Sequence, residues 1–374
     1  MHFGNELTLD HLDRMTDSTG LVQHAIYGVP RRDSGYTTDD NTRALRLCTR
    51  LWDRHADERM LDRVTTYLGF LEFARSPSGM FHNFLSYQRH WLDAEGSGDC
   101  QGQTVLALAE VVGSSLPDDY RLLARELIEA VLPTLADLRS LRSQAYVIQA
   151  WSLLWTAGVK DIEPLEAVAW SASRRLAEAY QRALRPDWQW FESRMTYANA
   201  VLPHALFLAA RRWPGENFLE VAEASFAFLD RATTAALDED SDAETAGQSP
   251  QTLIFWPVGN NGWYQHGEEK AFYDQQPVEA STMAEAALAA FDILKEENYR
   301  ATFCRTRDWF HGHNSLRLPL ADVGRGACFD GLESSGVNRN QGAESTLAYL
   351  WVEMRNLEIQ QISGETLKLG TASA

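Results

Sequence analysis

Residues 35–45 read Gly35-Tyr36-Thr37-Thr38-Asp39-Asp40-Asn41-Thr42-Arg43-Ala44-Leu45, a polar mouth that runs straight into a helix. Thr38 or Asp39 is placed to cap the first free N–H groups, and Asn41 and Arg43 prolong the polar mouth before Ala44, Leu45 and Leu47 turn to packing. The helix so opened, about 39–51, carries Ala, Leu and small residues round most of its circumference. That is the mark of a helix packed on several sides.

Five later segments repeat this design, at about 101–112, 142–156, 196–211, 278–294 and 342–355. Between them run amphipathic, charged segments suited to a solvent-facing helix, at about 6–18, 57–74, 118–135, 165–183, 216–230 and 296–311. Strict apolar alternation, the sign of a sheet, persists almost nowhere. Six inner helices alternating with six outer ones predict an all-α fold, an (α/α)6 toroid in which the inner six line a funnel. A solenoid of helix pairs is disfavoured because the spacing between pairs is too irregular for a fixed repeat. The toroid uses residues 1–374 as one domain, with a long loop insertion at about 231–277 and a tail, 363–374, expected to fray.

The connections support this arrangement. Exits from inner to outer helices are short, whereas the loops leading into inner helices, notably 19–38, 75–100, 184–195, 231–277 and 312–341, are long and rich in Gly, Asn, aromatics and charge. Long loops gathered on one rim place function on that rim. The acidic run Leu237-Asp-Glu-Asp-Ser-Asp-Ala-Glu-Thr within the longest loop reads as a solvated excursion.

Composition narrows the ligand. With 34 basic and 52 acidic side chains the net charge is −18, and no basic run is present, so nucleic acid is not an expected partner. Cys48, Cys100, Cys304 and Cys328 are far apart and read as reduced thiols. No leader pattern and no long apolar run is present, so a soluble, cytoplasmic protein without a membrane partner is expected. The 12 Trp, 12 Tyr and 16 Phe are unusual, because many of the Trp and Tyr stand beside Gly, amides and acids rather than in apolar runs. Such rings suit a polar ligand with apolar faces.

Each inner helix begins with groups that packing does not require: Asp39, Asp40, Asn41 and Arg43; Gln101 and Gln103; Arg142 and Gln144; Arg194, Tyr197 and Asn199; Gln275, Gln276 and Glu279; Arg339, Asn340, Gln341 and Glu344. Helix capping explains any one of them. Their repetition at six converging ends points to a polar ligand. Rings near these starts, including Tyr36, Trp190, Trp256, Trp263 and Tyr264, suit sugar faces, and Trp256 and Trp263, which flank Pro-Val-Gly-Asn-Asn-Gly, lead among them. His82, Glu192 and Asp274 complete the candidate binding set.

The alternating hairpins, the Gly-Tyr-Thr-Thr-Asp-Asp-Asn start, the Gln-Gln-Pro-Val-Glu-Ala segment and the Gly-Ala-Glu-Ser-Thr end together resemble the six-hairpin glycosidase superfamily. The resemblance spans the chain as architecture, implies glycan chemistry, and lends no catalytic residue by exact motif. Because such toroidal hydrolases often invert, it also implies inversion.

Glycoside hydrolysis needs one carboxylic acid and one carboxylate, about 5–5.5 Å apart for retention and about 6.5–9.5 Å for inversion. Asp39 and Asp40 are neighbours on one helix, point about 100° apart and do not form such a pair. The expected catalytic set is Asp40 with Glu279 or Glu344 across the funnel: Glu279 as acid, near Tyr273 and Trp263, and Asp40 or Glu344 as base. Glu192 and Asp274 stand in reserve. No cofactor is expected, and no metal, since the histidines form no His-Glu-x-x-His and His311 with His313 follows an outer helix. The prenyl-diphosphate chemistry of other helical toroids lacks its third carboxylate here. Two readings compete with the hydrolase: a sugar 2-epimerase using paired histidines drawn from His24, His82, His204 and His266, and a glycan-binding toroid without activity.

Overall fold

The computed structural model describes residues 7–237 and 252–372; the acidic run from Asp238 to Thr245 lies outside the described residues. Among these residues twelve helices follow in order: α1 Asp10–Met15, α2 Thr38–His55, α3 Glu58–Ala74, α4 Gly98–Val112, α5 Asp118–Leu135, α6 Leu141–Thr156, α7 Glu163–Ala183, α8 Val201–Arg212, α9 Phe218–Ala232, α10 Pro277–Leu294, α11 Glu297–Phe310 and α12 Ala343–Ala372. Every segment expected to be helical contains one.

The even-numbered helices form the inner ring. Each packs on the next, from α2 through α4, α6, α8 and α10 to α12, and α12 returns to pack on α2, closing the circle. The odd-numbered helices pack outside their partners. Burial follows the two patterns of sequence. In α4 every residue from Asp99 to Val112 is buried. In α5 the buried set is Ala124, Leu127, Ile128, Val131 and Leu135, a single stripe at helical spacing. Small residues let inner helices approach: a Cβ on Gly102 of α4 would lie 2.8 Å from the Ser143 carbonyl oxygen of α6.

Helix starts are fixed by short polar caps. Asp57, Ser97 and Ser140 accept from N–H groups of the first turns of α3, α4 and α6, and Pro277 occupies the first turn of α10. Three boundaries differ most from expectation. The first outer helix spans only Asp10–Met15, α12 runs on to Ala372 through residues expected to fray, and α8 begins at Val201, five residues late. The delay has a local cause: Asn199 bonds both the N–H and the C=O of Thr196, and Ala198 is held at φ 45°, so 196–200 form a turn that seats the helix.

Among the described residues strands form six short antiparallel pairs, besides isolated bridges, most of them in the long loops. They tie those loops to one another: Tyr36–Thr37 pairs with Phe84–Leu85, and Arg194–Met195 pairs with Tyr264–Gln265. The opposite rim, with its short connections, holds many of the tryptophans. Trp213 stacks on Trp151 at 4.6 Å and meets Trp170 edge-on, closing the α6–α7–α8 junction. No described helix is long and apolar enough to cross a membrane.

Candidate active site

On the long-loop rim a basin of about 500 Å³ opens over the seam where α2 meets α12. One wall is the start of α2, with Thr37, Asp39, Asp40 and Arg43, and another is the start of α12, with Gly342, Ala343, Glu344 and Ser345. The loops add Gln23 and His24, Asn83 and Phe84, Asn260, Asp274 to Gln276, and Asp330, Gly331, Glu333 and Asn338.

The cap of α2 is Thr37, one residue before the expected positions. Its hydroxyl oxygen accepts from the Asp40 N–H at 3.2 Å and donates to the Asp40 carboxylate at 2.7 Å. This reciprocal cap fixes Asp40 and leaves Asp39 free of capping duty. Asp39 faces the basin and accepts from Asn83 Nδ2 at 3.1 Å and Gln103 Nε2 at 3.2 Å. Asn41 turns away from the basin: its amide bonds the Thr37 carbonyl and the Leu21 N–H, locking the incoming loop to the helix.

Arg43 bridges the two walls. One of its nitrogens lies 3.1 Å from Asp40 and the other 2.9 Å from Glu344. Asp40 is almost fully enclosed, whereas the Glu344 side chain is 41% exposed to the basin. Burial raises the Asp40 carboxyl to about 7; Arg43 opposes the rise, and the charges of Glu344 and Asp39 add to it. Burial also raises Asp39, against the opposing influence of Arg43 and the bond from Asn83. Asp330 across the basin is raised by burial too, and accepts from the Gly342 N–H at 2.7 Å. The site therefore gathers several carboxyl groups, three of them raised by burial, around the Arg43 guanidinium, the ingredients of acid–base chemistry.

No protein-family model matches the sequence, and neither does any curated protein. Solved structures do resemble it over nearly its whole length. A cellobiose 2-epimerase from Bacillus thermoamylovorans is 13% identical, with 94% of this chain and 96% of that one covered and a TM-score of 0.66. A D-mannose isomerase is 13% identical over 92% and 94%, with a TM-score of 0.65. A glycoside hydrolase family 76 α-mannanase from Bacteroides thetaiotaomicron is 12% identical over 95% of each chain, with a TM-score of 0.65. The fold is the six-hairpin (α/α)6 toroid. At these identities the likeness concerns architecture, and this toroid's chemistry rests on its own residues.

Among the residues singled out by sequence, the toroid brings Asp39, Asp40, Arg43, Asp274, Gln275, Gln276 and Glu344 to the basin. Gln275 arrives with its amide already used, donating to the Phe272 carbonyl and accepting from Trp309 Nε1. Gln103 lines a second, deeper chamber of about 90 Å³ that shares Arg43 and Glu344 with the basin.

Most of the remaining candidates are engaged by the scaffold. Glu279, expected to be the acid, does not line the basin; its carboxylate accepts from the N–H of Ala198 and from the N–H and side-chain amide of Asn199, the latter at 3.0 Å. It seats α8. Burial raises Glu279 to about 7, partly offset by these donors. Glu279→Gln is accordingly expected to lower stability by about 1–3 kcal/mol, read as a fall in thermal midpoint, because it turns one acceptor of buried N–H groups into a donor.

The expected ring platforms are likewise occupied elsewhere. Tyr36 donates to Asp17 at 2.6 Å and stacks on Tyr87, Trp190 is fully buried, and His82 stacks on Trp91 with Nδ1 at 3.0 Å from the Asp93 carbonyl. Trp256 donates to the Phe272 carbonyl, Trp263 packs against the core, and Tyr264 meets Trp188 edge-on. Glu192 pairs with Arg142, Arg194 donates to Gln265, and the Tyr197 hydroxyl donates to Asp99. Asn199 bonds Thr196 and Glu279, Asn340 accepts from the Tyr27 N–H, Gln341 is buried, and Arg339 is exposed outside the basin. In their place the loops supply Phe84, Asn83, Asp330, Asn260, Glu333 and Asn338, which consideration of helix starts alone misses.

One strap shapes the basin's far wall. Gly259 and Asn260 bond back to Ala271 and Asp274, at 2.8 and 3.1 Å, and a Cβ on Gly259 would fall 1.8 Å from the Tyr273 carbonyl oxygen. Gly259→Ala must displace that strap, and with it Asn260 and Asp274. The expected result is a loss of the order of 3 kcal/mol in chemical denaturation together with weakened ligand binding.

Among the described residues no three His, Cys, Asp or Glu side chains are disposed to hold one metal ion.

Proposed function

We propose that the chain is a glycoside hydrolase that takes an oligosaccharide into the basin, with Asp40 protonating the leaving oxygen and Glu344 as the opposing carboxylate. The observation that carries this reading is the Asp40–Arg43–Glu344 bridge. One guanidinium contacts both groups and holds them close across the seam, and paired carboxyl groups are what glycosidic cleavage requires. Asp40, enclosed and raised to about 7, is suited to hold a proton near neutral pH. Glu344, half open to the basin and paired with Arg43, is suited to activate water or attack the anomeric carbon. Asp39, Asn83, Asn260 and Asn338 supply acceptors and donors for sugar hydroxyls.

An epimerase that moves a proton at C2 needs two bases astride one carbon. His24 lines the basin, but His204, held neutral near pH 7 because burial lowers it to about 4, lies on the deeper chamber. His24 and His204 thus line different chambers, and among the described residues no second histidine joins His24 on the basin wall. This favours hydrolysis.

The test is incubation of the protein with β-1,4-linked gluco- and α-1,6-linked manno-oligosaccharides, following released reducing ends, with ¹H NMR of the first anomer to read retention or inversion. A parallel run with free sugar in ²H₂O reports deuterium at C2. Reducing ends without C2 exchange support the proposal. Exchange without cleavage overturns it in favour of epimerisation, and binding with neither overturns it in favour of a recognition module.

A further inference from the structure

Beside the basin stands a hairpin with an unusual tip. Gln23 and His24 line the basin, and the chain then runs out through Ala25–Ile26 and returns through Val29–Pro30, with Tyr27 and Gly28 as the two-residue turn. Two-residue hairpin turns place Gly, Asn or Asp at positions of positive φ. Here the positive φ, 52°, belongs to Tyr27, while Gly28 sits next to it. A bulky residue in the left-handed region is uncommon and costs free energy that a glycine would not.

The tip is nevertheless firmly held. The Tyr27 N–H donates to Asn340 Oδ1 at 3.0 Å, and the Gln341 N–H donates to the Tyr27 carbonyl at 3.0 Å. Gly28 closes on Gln341, where a Cβ would come within 2.9 Å of the side-chain oxygen. Asn340 and Gln341 lie between Asn338 and Gly342 of the basin wall, and Gln341 stands two residues before Ala343, where α12 begins. The backbone of Tyr27 is thus pinned to the wall that carries the proposed catalytic carboxylate, and its side chain is left outside. Tyr27 is 65% exposed, flanked by Ile26 at 56% and Val29 at 65%, and its ring packs on no other aromatic ring among the described residues.

We propose that Tyr27 is the stacking platform of a distal sugar subsite, so that the substrate is an oligosaccharide whose chain leaves the basin across this hairpin. The proposal rests on the carbohydrate reading of the basin and adds where the chain goes. Three observations support it. The ring is presented by a strained and rigid turn, which aims a side chain without ordering cost on binding. The hairpin that carries the apolar patch follows directly in the chain from basin residues Gln23 and His24. And the basin itself has an aromatic wall in Phe84, 45% exposed, so a sugar chain reaching the hairpin would start from a site that already holds one ring. A sugar face suits this patch because the ring supplies a flat apolar surface while the hairpin backbone and Asn340 supply polar edges.

The experiment uses the full chain carrying Asp40→Asn to prevent turnover, with Tyr27 intact or replaced by Ala or Trp. Affinities for β-1,4-gluco- and α-1,6-manno-oligosaccharides of two to five units are measured by calorimetry, and sedimentation velocity follows the oligomeric state. With Tyr27 intact, affinity is expected to rise about tenfold from two to four units in the series that binds. Tyr27→Ala should reduce that rise to less than about threefold, and Tyr27→Trp should restore it. An undiminished rise in Tyr27→Ala overturns the subsite while leaving the basin's function standing. A change in oligomeric state without a change in length dependence also overturns it, assigning the hairpin to self-association. Failure of every chain to bind any of the proteins overturns both readings.

Discussion

Asp40→Asn is expected to lower kcat/KM on any oligosaccharide the protein cleaves by roughly 10²–10⁴-fold, the contribution of a positioned general acid. Asn fills the same space and can keep the bond to Thr37, so the loss should fall on the chemical step more than on binding. The pH profile supplies a second signature. Asp40 must be protonated to act, and burial raises it to about 7, so activity should fall as pH rises through about 7 and that basic limb should vanish in the residual activity of the variant. Stability carries the same sign. A carboxyl raised in the folded state holds its proton longer than in the unfolded chain, so its influence favours folding at low pH and is lost between about 4 and 7. Denaturant unfolding at pH 5 and pH 8 should therefore show a smaller pH-dependent decline in Asp40→Asn than in the parent. An Asp40→Asn enzyme that retains full activity would remove Asp40 from the mechanism.

Arg43→Met is expected to cost about 3 kcal/mol of stability, seen as a lower denaturation midpoint. Arg43 is the shared cation of Asp40 and Glu344, and its removal leaves Asp40 enclosed without a counter-charge. Asp40 should then titrate higher still, and Glu344 should lose the partner that orients it, so activity falls with stability. The double variant Arg43→Met with Asp40→Asn separates the two effects. It should recover part of the stability, since no enclosed charge is then unpaired, but none of the activity. A single Arg43→Met variant as stable as the parent would mean that the bridge contributes nothing to the fold.

The ring was legible because it is built from a single signal repeated twelve times. Apolar positions at helical spacing, all round in α4 and along one stripe in α5, need no tertiary information to be read. The start of α2 was legible for the same local reason, although the cap falls on Thr37 rather than on Thr38 or Asp39. What sequence did not disclose is which polar groups meet. Asp330 and Asn83 reach the basin from loops whose strands are two or three residues long, too short to show alternation. Glu279 looks like Glu344 in sequence, an acid in the first turn of an inner helix, yet the turn at 196–200 claims it. Sequence could not say which tryptophans meet a ligand, because a ring beside Gly or Asn serves as well to anchor a loop: Trp256 spends its N–H on Phe272, and Trp190 is fully buried.

The seam between α2 and α12 has a further consequence. Asp40 and Glu344, joined through Arg43, come from the first and last inner helices, so the proposed catalytic pair is assembled only where the ring closes on itself. On the proposed assignment neither helix holds a working centre alone: without Ala343 onward the ring lacks its closing helix, and Asp40 and Arg43 lack the carboxylate that faces them.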